Sequence, residues 1–319
     1  VKEQEAIKES NEANTGSLEP RSNISLLQNL AVIEVTGEDA VRLLQGQVSV
    51  NIESMQKDEM QLAAMCNPKG RCISLFLLAK IELGYALFMA KDLVDACISN
   101  LKKYGVFYKV EIFEKTDNYA IYSGFELSLD DVLADASADN RTEKFCAKVF
   151  SWRKKQLSLI LLDKKLLDQS VGHDLPVRDP RRVGNDSQWL YQLTLAQIPW
   201  LTQPVASHFL PHNLDLPELA AVDFKKGCFT GQEVIARMQY KGKLKSHLQL
   251  FETDSEIQVK PGEFLYIEEK AVAEVISGAK GDNGCSAILA LVRDKDLSSE
   301  KFRLYAQNGP IIRLTRKIK

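Results

Sequence analysis

Lys225-Lys226-Gly227-Cys228-Phe229-Thr230-Gly231-Gln232-Glu233 is the stretch on which the reading of this chain turns. Thr230 and Glu233 have the spacing of a capping box, with Thr230 at N-cap and Glu233 at N3. Val234, Ile235 and Met238 then supply a short apolar stripe, and Gly242 ends it. Cys228 falls two residues before the expected cap, near the electropositive end of the helix dipole. Lys225 and Lys226 precede it and Arg237 follows, a setting that favours the thiolate. The same residues also describe a plain alternative, a well-made cap carrying a small, inert, buried Cys between solvated lysines.

The wording of the stretch carries a further meaning. Lys-Gly-Cys-Phe-Thr-Gly-Gln-Glu, followed by Val-Ile-Ala-Arg, resembles the signature of the YgfZ family. Two other places are similar to that family: Leu44-Gln45-Gly46-Gln47-Val48, and Lys102-Lys103-Tyr104 through Phe107-Tyr108-Lys109-Val110-Glu111. The resemblance implies an α+β, multidomain fold like the glycine cleavage T-protein, ending in a small antiparallel β-barrel. It also implies tetrahydrofolate or a derivative as ligand, and iron–sulfur enzymes, including tRNA-modifying ones, as partners.

On that resemblance the expected function is a folate-binding accessory or regulatory protein. It would support iron–sulfur cluster assembly or repair, and through it tRNA modification (methylthiolation). Cys228 and Lys226 are the expected reactive pair, and Trp189, Gln232 and Asn67 the expected folate contacts. Two alternatives stand beside it. One is a folate-dependent, aminomethyltransferase-like one-carbon enzyme. The other is a tRNA-binding module using Arg237, Lys241, Lys243 and Lys245, at best a weak tRNA contact, since cations also suit a helix C-terminus.

The sequence departs from the T-protein pattern where that enzyme carries its catalytic aspartate. The corresponding stretch is Gly70-Arg71-Cys72-Ile73-Ser74-Leu75, with Ser74 and Leu75 in place of carboxylates. A developing ammonium would find no counter-charge there, which argues against aminomethyl transfer. A second departure follows Trp189. The family usually shows Glu-Ala-Gly-x-Pro, whereas this chain reads Leu195-Ala196-Gln197-Ile198-Pro199.

Composition sets the frame. The chain has 319 residues, 45% hydrophobic and 26% charged, as an ordinary globular protein does. A net charge of −2 excludes a molecule-wide basic footprint, so any nucleic-acid contact must be local. Cysteines 66, 72, 97, 146, 228 and 285 form no CxxC pair, and free thiols in a reducing, cytoplasmic setting are expected. No apolar run has the length of a membrane span, so no membrane partner is expected; a monomer is.

Taken in order, residues 1–22 are polar and predict a disordered tail. Residues 23–242 predict the folate-binding α+β body, in two intertwined subdomains. Strands are expected at 30–35, 62–66, 73–78, 85–89, 119–122, 149–152 and 157–162, with helices at 38–44, 91–104, 128–136 and from an N-cap at Asp186. Asn67-Pro68-Lys69-Gly70 has type I turn chemistry. Four prolines punctuate an irregular stretch from Ile198 to Phe224, which reads as a wall or lid. Residues 243–319, with evenly spaced short strands, predict the barrel.

Overall fold

The computed structural model describes residues 24–125, 148–165, 184–281, 284–299, 301–305 and 309–315. The expected tail at 1–22 and the expected acidic helix at 128–136 lie outside these residues. Three antiparallel sheets carry the fold.

The first sheet has the order β3-β4-β5-β2-β6. Its members are β2 (Leu30–Thr36), β3 (Met60–Cys66), β4 (Cys72–Ile81), β5 (Gly84–Ala90) and β6 (Glu111–Glu114). The central strands read as near-continuous Leu, Ala, Phe and Met because both faces are covered; Leu75, Phe76, Leu78, Leu87, Phe88 and Met89 are all fully buried. Helix α1 (Ala40–Gln45) follows β2, and α2 (Val94–Gly105) packs Val94, Cys97 and Leu101 inward. Both fall where the 3.6-residue period places them.

The second sheet has the order β1-β7-β9-β8, from β1 (Ile24–Leu27), β7 (Tyr119–Phe125), β8 (Lys148–Trp152) and β9 (Leu157–Asp163). Phe88 of the first sheet meets Phe150 of the second at a ring separation of 5.7 Å. One apolar core therefore runs through both sheets.

Helix α3 (Asp186–Leu195) joins this body to the barrel. Its N-cap is Asn185, one residue earlier than expected: the Asn185 side chain accepts from the amides of Ser187 and Gln188, and Gln188 Oε1 accepts from Asn185 N at 2.7 Å. Asp186 is thereby freed, and its carboxylate accepts from the amides of Gln28 and Asn29 (2.9–3.1 Å). The helix ends in a Schellman motif, with Gln197 N donating to Thr194 O and Ile198 N to Leu193 O. Gln197, standing where the family shows Gly, has φ +54°.

The third sheet is a closed barrel, β10-β13-β12-β11-β14-β15, in which β10 pairs with both β13 and β15. Its strands are β10 (Ser246–Thr253), β11 (Phe264–Ile267), β12 (Lys270–Lys280), β13 (Ser286–Arg293), β14 (Phe302–Leu304) and β15 (Ile311–Thr315). All six lie within 243–319, the segment expected to form the barrel. Phe251 and Phe302 stack edge-to-face (4.9 Å) inside it. Leu248, Leu250, Ile276, Ala287 and Leu289 turn outward into the core of the body, so barrel and body share one apolar interface.

Candidate functional site

The signature loop is held at both ends by a segment distant in sequence. Lys226 is buried, and its ammonium donates to the carbonyls of Gln45 (2.8 Å), Val48 (2.6 Å) and Val50 (2.8 Å). Three hydrogens meet three acceptors. Burial lowers its pKa to about 8, with Asp223 and Glu53 pulling the other way. The ammonium also lies 5.1 Å from the ring centroid of Phe229. At the far end of the loop, Thr230 N donates to Gly46 O (3.1 Å) and Thr230 Oγ1 to Gln47 Oε1 (3.4 Å). The Leu-Gln-Gly-Gln element and the signature are thus one structural unit.

This geometry revises two expectations. Lys226 has no donor left for a folate tail or a neighbouring thiol; it positions the loop. The capping box does not form either. Helix α4 (Gln232–Lys241) has Gly231 at its N-cap, with φ +84° and no side-chain cap. The reason is steric, since a Cβ on Gly231 would stand 2.6 Å from Asn67 O and 2.9 Å from Gly70 Cα. Only glycine lets the loop cross the β3–β4 turn so closely, and the left-handed turn displaces Thr230 from the cap.

That crossing sets Gly231, the neighbour of Gln232, against the backbone of Asn67. Asn67 spends its side-chain oxygen on the amides of Lys69 and Arg71 (2.9 and 3.1 Å), shaping its own turn. Gln232 opens α4, half-buried, with its amide donating to Phe229 O. Cys228 is exposed, whereas Cys66, Cys72 and Cys97 are buried and Cys285 is half-buried. The neighbouring Gly227 has open space where a Cβ would go. The loop therefore commits Lys226 and its aromatic ring inward and leaves the thiol outside.

Trp189 belongs to a different place. It lines a cavity of about 670 Å³ between α3, the 200–202 segment and strand β12, and no residue of 225–233 lines it. Trp200 meets Trp189 edge-on at 5.0 Å. The Trp189 indole N–H donates to Ser123 Oγ (2.8 Å), so the ring offers the cavity an apolar face only. Asp92, Asp186, Lys91 and Lys280 supply charge at the walls, and the Thr202 hydroxyl is buried with no partner among the described residues. Volume, paired aromatics and few polar groups are what a pterin-sized ligand requires.

Sequence reasoning passed over Trp200, Asp92 and Thr202. The signal was present in Pro199-Trp200, a large aromatic anchored by proline in an irregular stretch. Ser74 and Leu75, at the place of the T-protein carboxylates, are fully buried in β4. Among the described residues there is no group of three or more His, Cys, Asp or Glu arranged to hold a metal ion. Nor is any described helix long and apolar enough to cross a membrane.

No family model matches the chain. The solved structure of glycine cleavage system aminomethyltransferase T from Bartonella henselae superposes with a TM-score of 0.67, covering 93% of this chain and 86% of that one at 15% identity. That likeness fixes the fold. Proteins described as tRNA-modifying protein YgfZ are similar in sequence. The Aliivibrio fischeri (strain MJ11) protein is 28% identical over 304 residues, 89% of each chain. That of Buchnera aphidicola subsp. Schizaphis graminum is 30% identical over 260 residues, 77% of this chain and 78% of its own length. With the signature loop, its partner segment and the T-protein fold all in place, the chain belongs to the YgfZ family.

Proposed function

We propose that this protein is a folate-binding accessory factor of tRNA modification, acting in the cytoplasm through support of iron–sulfur enzymes. The observation that carries the reading is the signature loop itself, which is pinned at both ends and presents an exposed thiol. Lys226 is consumed by three carbonyls and Phe229 is buried, while the Cys228 thiol between them is exposed. One thiolate cannot hold a cluster, which needs about four ligands. Cys228 therefore acts in a shared or transient attachment completed by the client. The relatives' name, tRNA-modifying protein, supports the client class.

Tetrahydrofolate or a derivative fits the cavity at Trp189 and Trp200. The aromatic pair would flank the pterin, Asp92 or Asp186 would accept from its ring N–H groups, and Lys91 and Lys280 would face the anionic tail. Aminomethyl transfer is disfavoured because Ser74 and Leu75 offer no carboxylate and are sealed in the core.

The test has two arms. In cells lacking the protein, Cys228→Ala should fail to restore methylthiolated tRNA, quantified by mass spectrometry of nucleosides; full restoration counts against the reading. Titration of tetrahydrofolate against intrinsic fluorescence should show binding to the wild type that Trp189→Ala weakens at least tenfold. Equal binding by both would move the ligand elsewhere.

A further inference from the structure

The exposed face of α4 carries cations that form no ion pair with any described residue, even with Glu233 one turn before Arg237. Among the described residues, no ion pair engages Arg237, Lys241, Lys243 or Lys245. Nearby Asp294 is paired instead with His247 Nε2 at 3.3 Å. Arg237 and Lys241 share one helix face at i, i+4. With Ala236 and Tyr240 they line a shallow groove of about 370 Å³.

The cations outlast the helix. After Gly242 the backbone turns extended, and Lys243 and Lys245 are exposed on either side of half-buried Leu244. A favourable helix C-terminus explains Lys241, but not two further lysines beyond its end.

Tyr240 gives the strip a second chemistry. Its ring is 71% exposed, yet it is propped edge-on by Phe224 at 6.3 Å, which in turn leans on His212 at 6.0 Å. A supported, solvent-facing aromatic beside a guanidinium and an ammonium is a platform for a base with its phosphates. The helix runs ten residues, about 15 Å, back toward the signature loop.

We propose that this face binds single-stranded or loop segments of RNA. Arg237, Lys241, Lys243 and Lys245 hold successive phosphates and Tyr240 stacks on a base. Chain-wide charge is −2, so a contact with RNA must be local, as this strip is. The inference rests on the proposed role in tRNA modification and names the surface through which the substrate RNA is met.

The experiment is fluorescence anisotropy of a labelled, unmodified tRNA transcript with the full chain between 50 and 200 mM KCl. Wild-type affinity should fall steeply with salt. The triple variant Arg237→Gln, Lys241→Gln, Lys243→Gln should flatten the log–log slope by about two. Tyr240→Ala should weaken binding roughly tenfold with the slope unchanged, and Tyr240→Phe should restore it. Indistinguishable curves for wild type and either the triple variant or Tyr240→Ala overturn the proposal. So does equal or tighter binding of heparin or an acidic peptide in place of tRNA. Folate titration of the triple variant should match wild type. If tRNA binding fails while methylthiolation still requires Cys228, the accessory role survives and this surface alone is refuted.

Discussion

Lys226 and Val48, 178 positions apart in the chain, are joined by a hydrogen bond of 2.6 Å from the ammonium to the backbone carbonyl. With the bonds to Gln45 and Val50, it makes one side chain the anchor of two loops. Buried carbonyls without donors cost about 1–3 kcal/mol each, so Lys226→Met should lose on the order of 2–4 kcal/mol in urea unfolding. Lys226→Arg should not rescue it, because a planar fork cannot place three donors around one point.

The same group predicts a pH signature. Folded, it titrates near 8; unfolded, near its ordinary 10.5. Between those values the unfolded chain holds a proton that the native one has released. Its contribution to stability therefore rises with pH from 8 to 10.5 and is least favourable below 8. Measured against Lys226→Met at each pH, the wild type should gain on the order of 2 kcal/mol between pH 7.5 and 9.5. A flat difference would show that the ammonium is not desolvated.

Gly231→Ala tests the loop crossing. Left-handed backbone costs a Cβ-bearing residue about 1–2 kcal/mol, and the contact with Asn67 O adds to it. The variant should unfold at lower denaturant by at least that amount. Its Cys228 should also alkylate at a changed rate, read by mass spectrometry of iodoacetamide adducts.

Gln197→Gly should act in the opposite sense. Gln197 sits at φ +54° in the Schellman motif that closes α3, with Leu193 and Ile198 buried beside it. Relieving that backbone should raise stability by about 1 kcal/mol without altering folate titration. No gain would mean that the Gln side chain contributes what its backbone loses.

How legible all this was depended on what kind of group carried the contact. The barrel strands announced themselves because alternating apolar residues and Pro-Gly turns are local signals. The site's chemistry was half visible: Cys228 and Trp189 could be named, but nothing local said that they stand apart. Lys226 was misread as a reactive neighbour because its partners are carbonyls, which every residue has. The cap at Thr230 failed for a similar reason, a backbone oxygen of Asn67 across the fold. Asp186 and Asn185 are both good capping residues, and only the fold shows that Asn185 caps the helix and leaves the Asp186 carboxylate to the β1–β2 turn and the cavity.

The double pairing of β10 leaves the third sheet without a free margin. An open ribbon of this length would invite strands from neighbouring molecules. Sealing it lets an outward-facing row of leucines be spent on gripping the rest of the protein rather than on avoiding aggregation. Loss of β15 would strip both β10 and β14 of a neighbour at once, turning a self-contained lid into two adhesive borders.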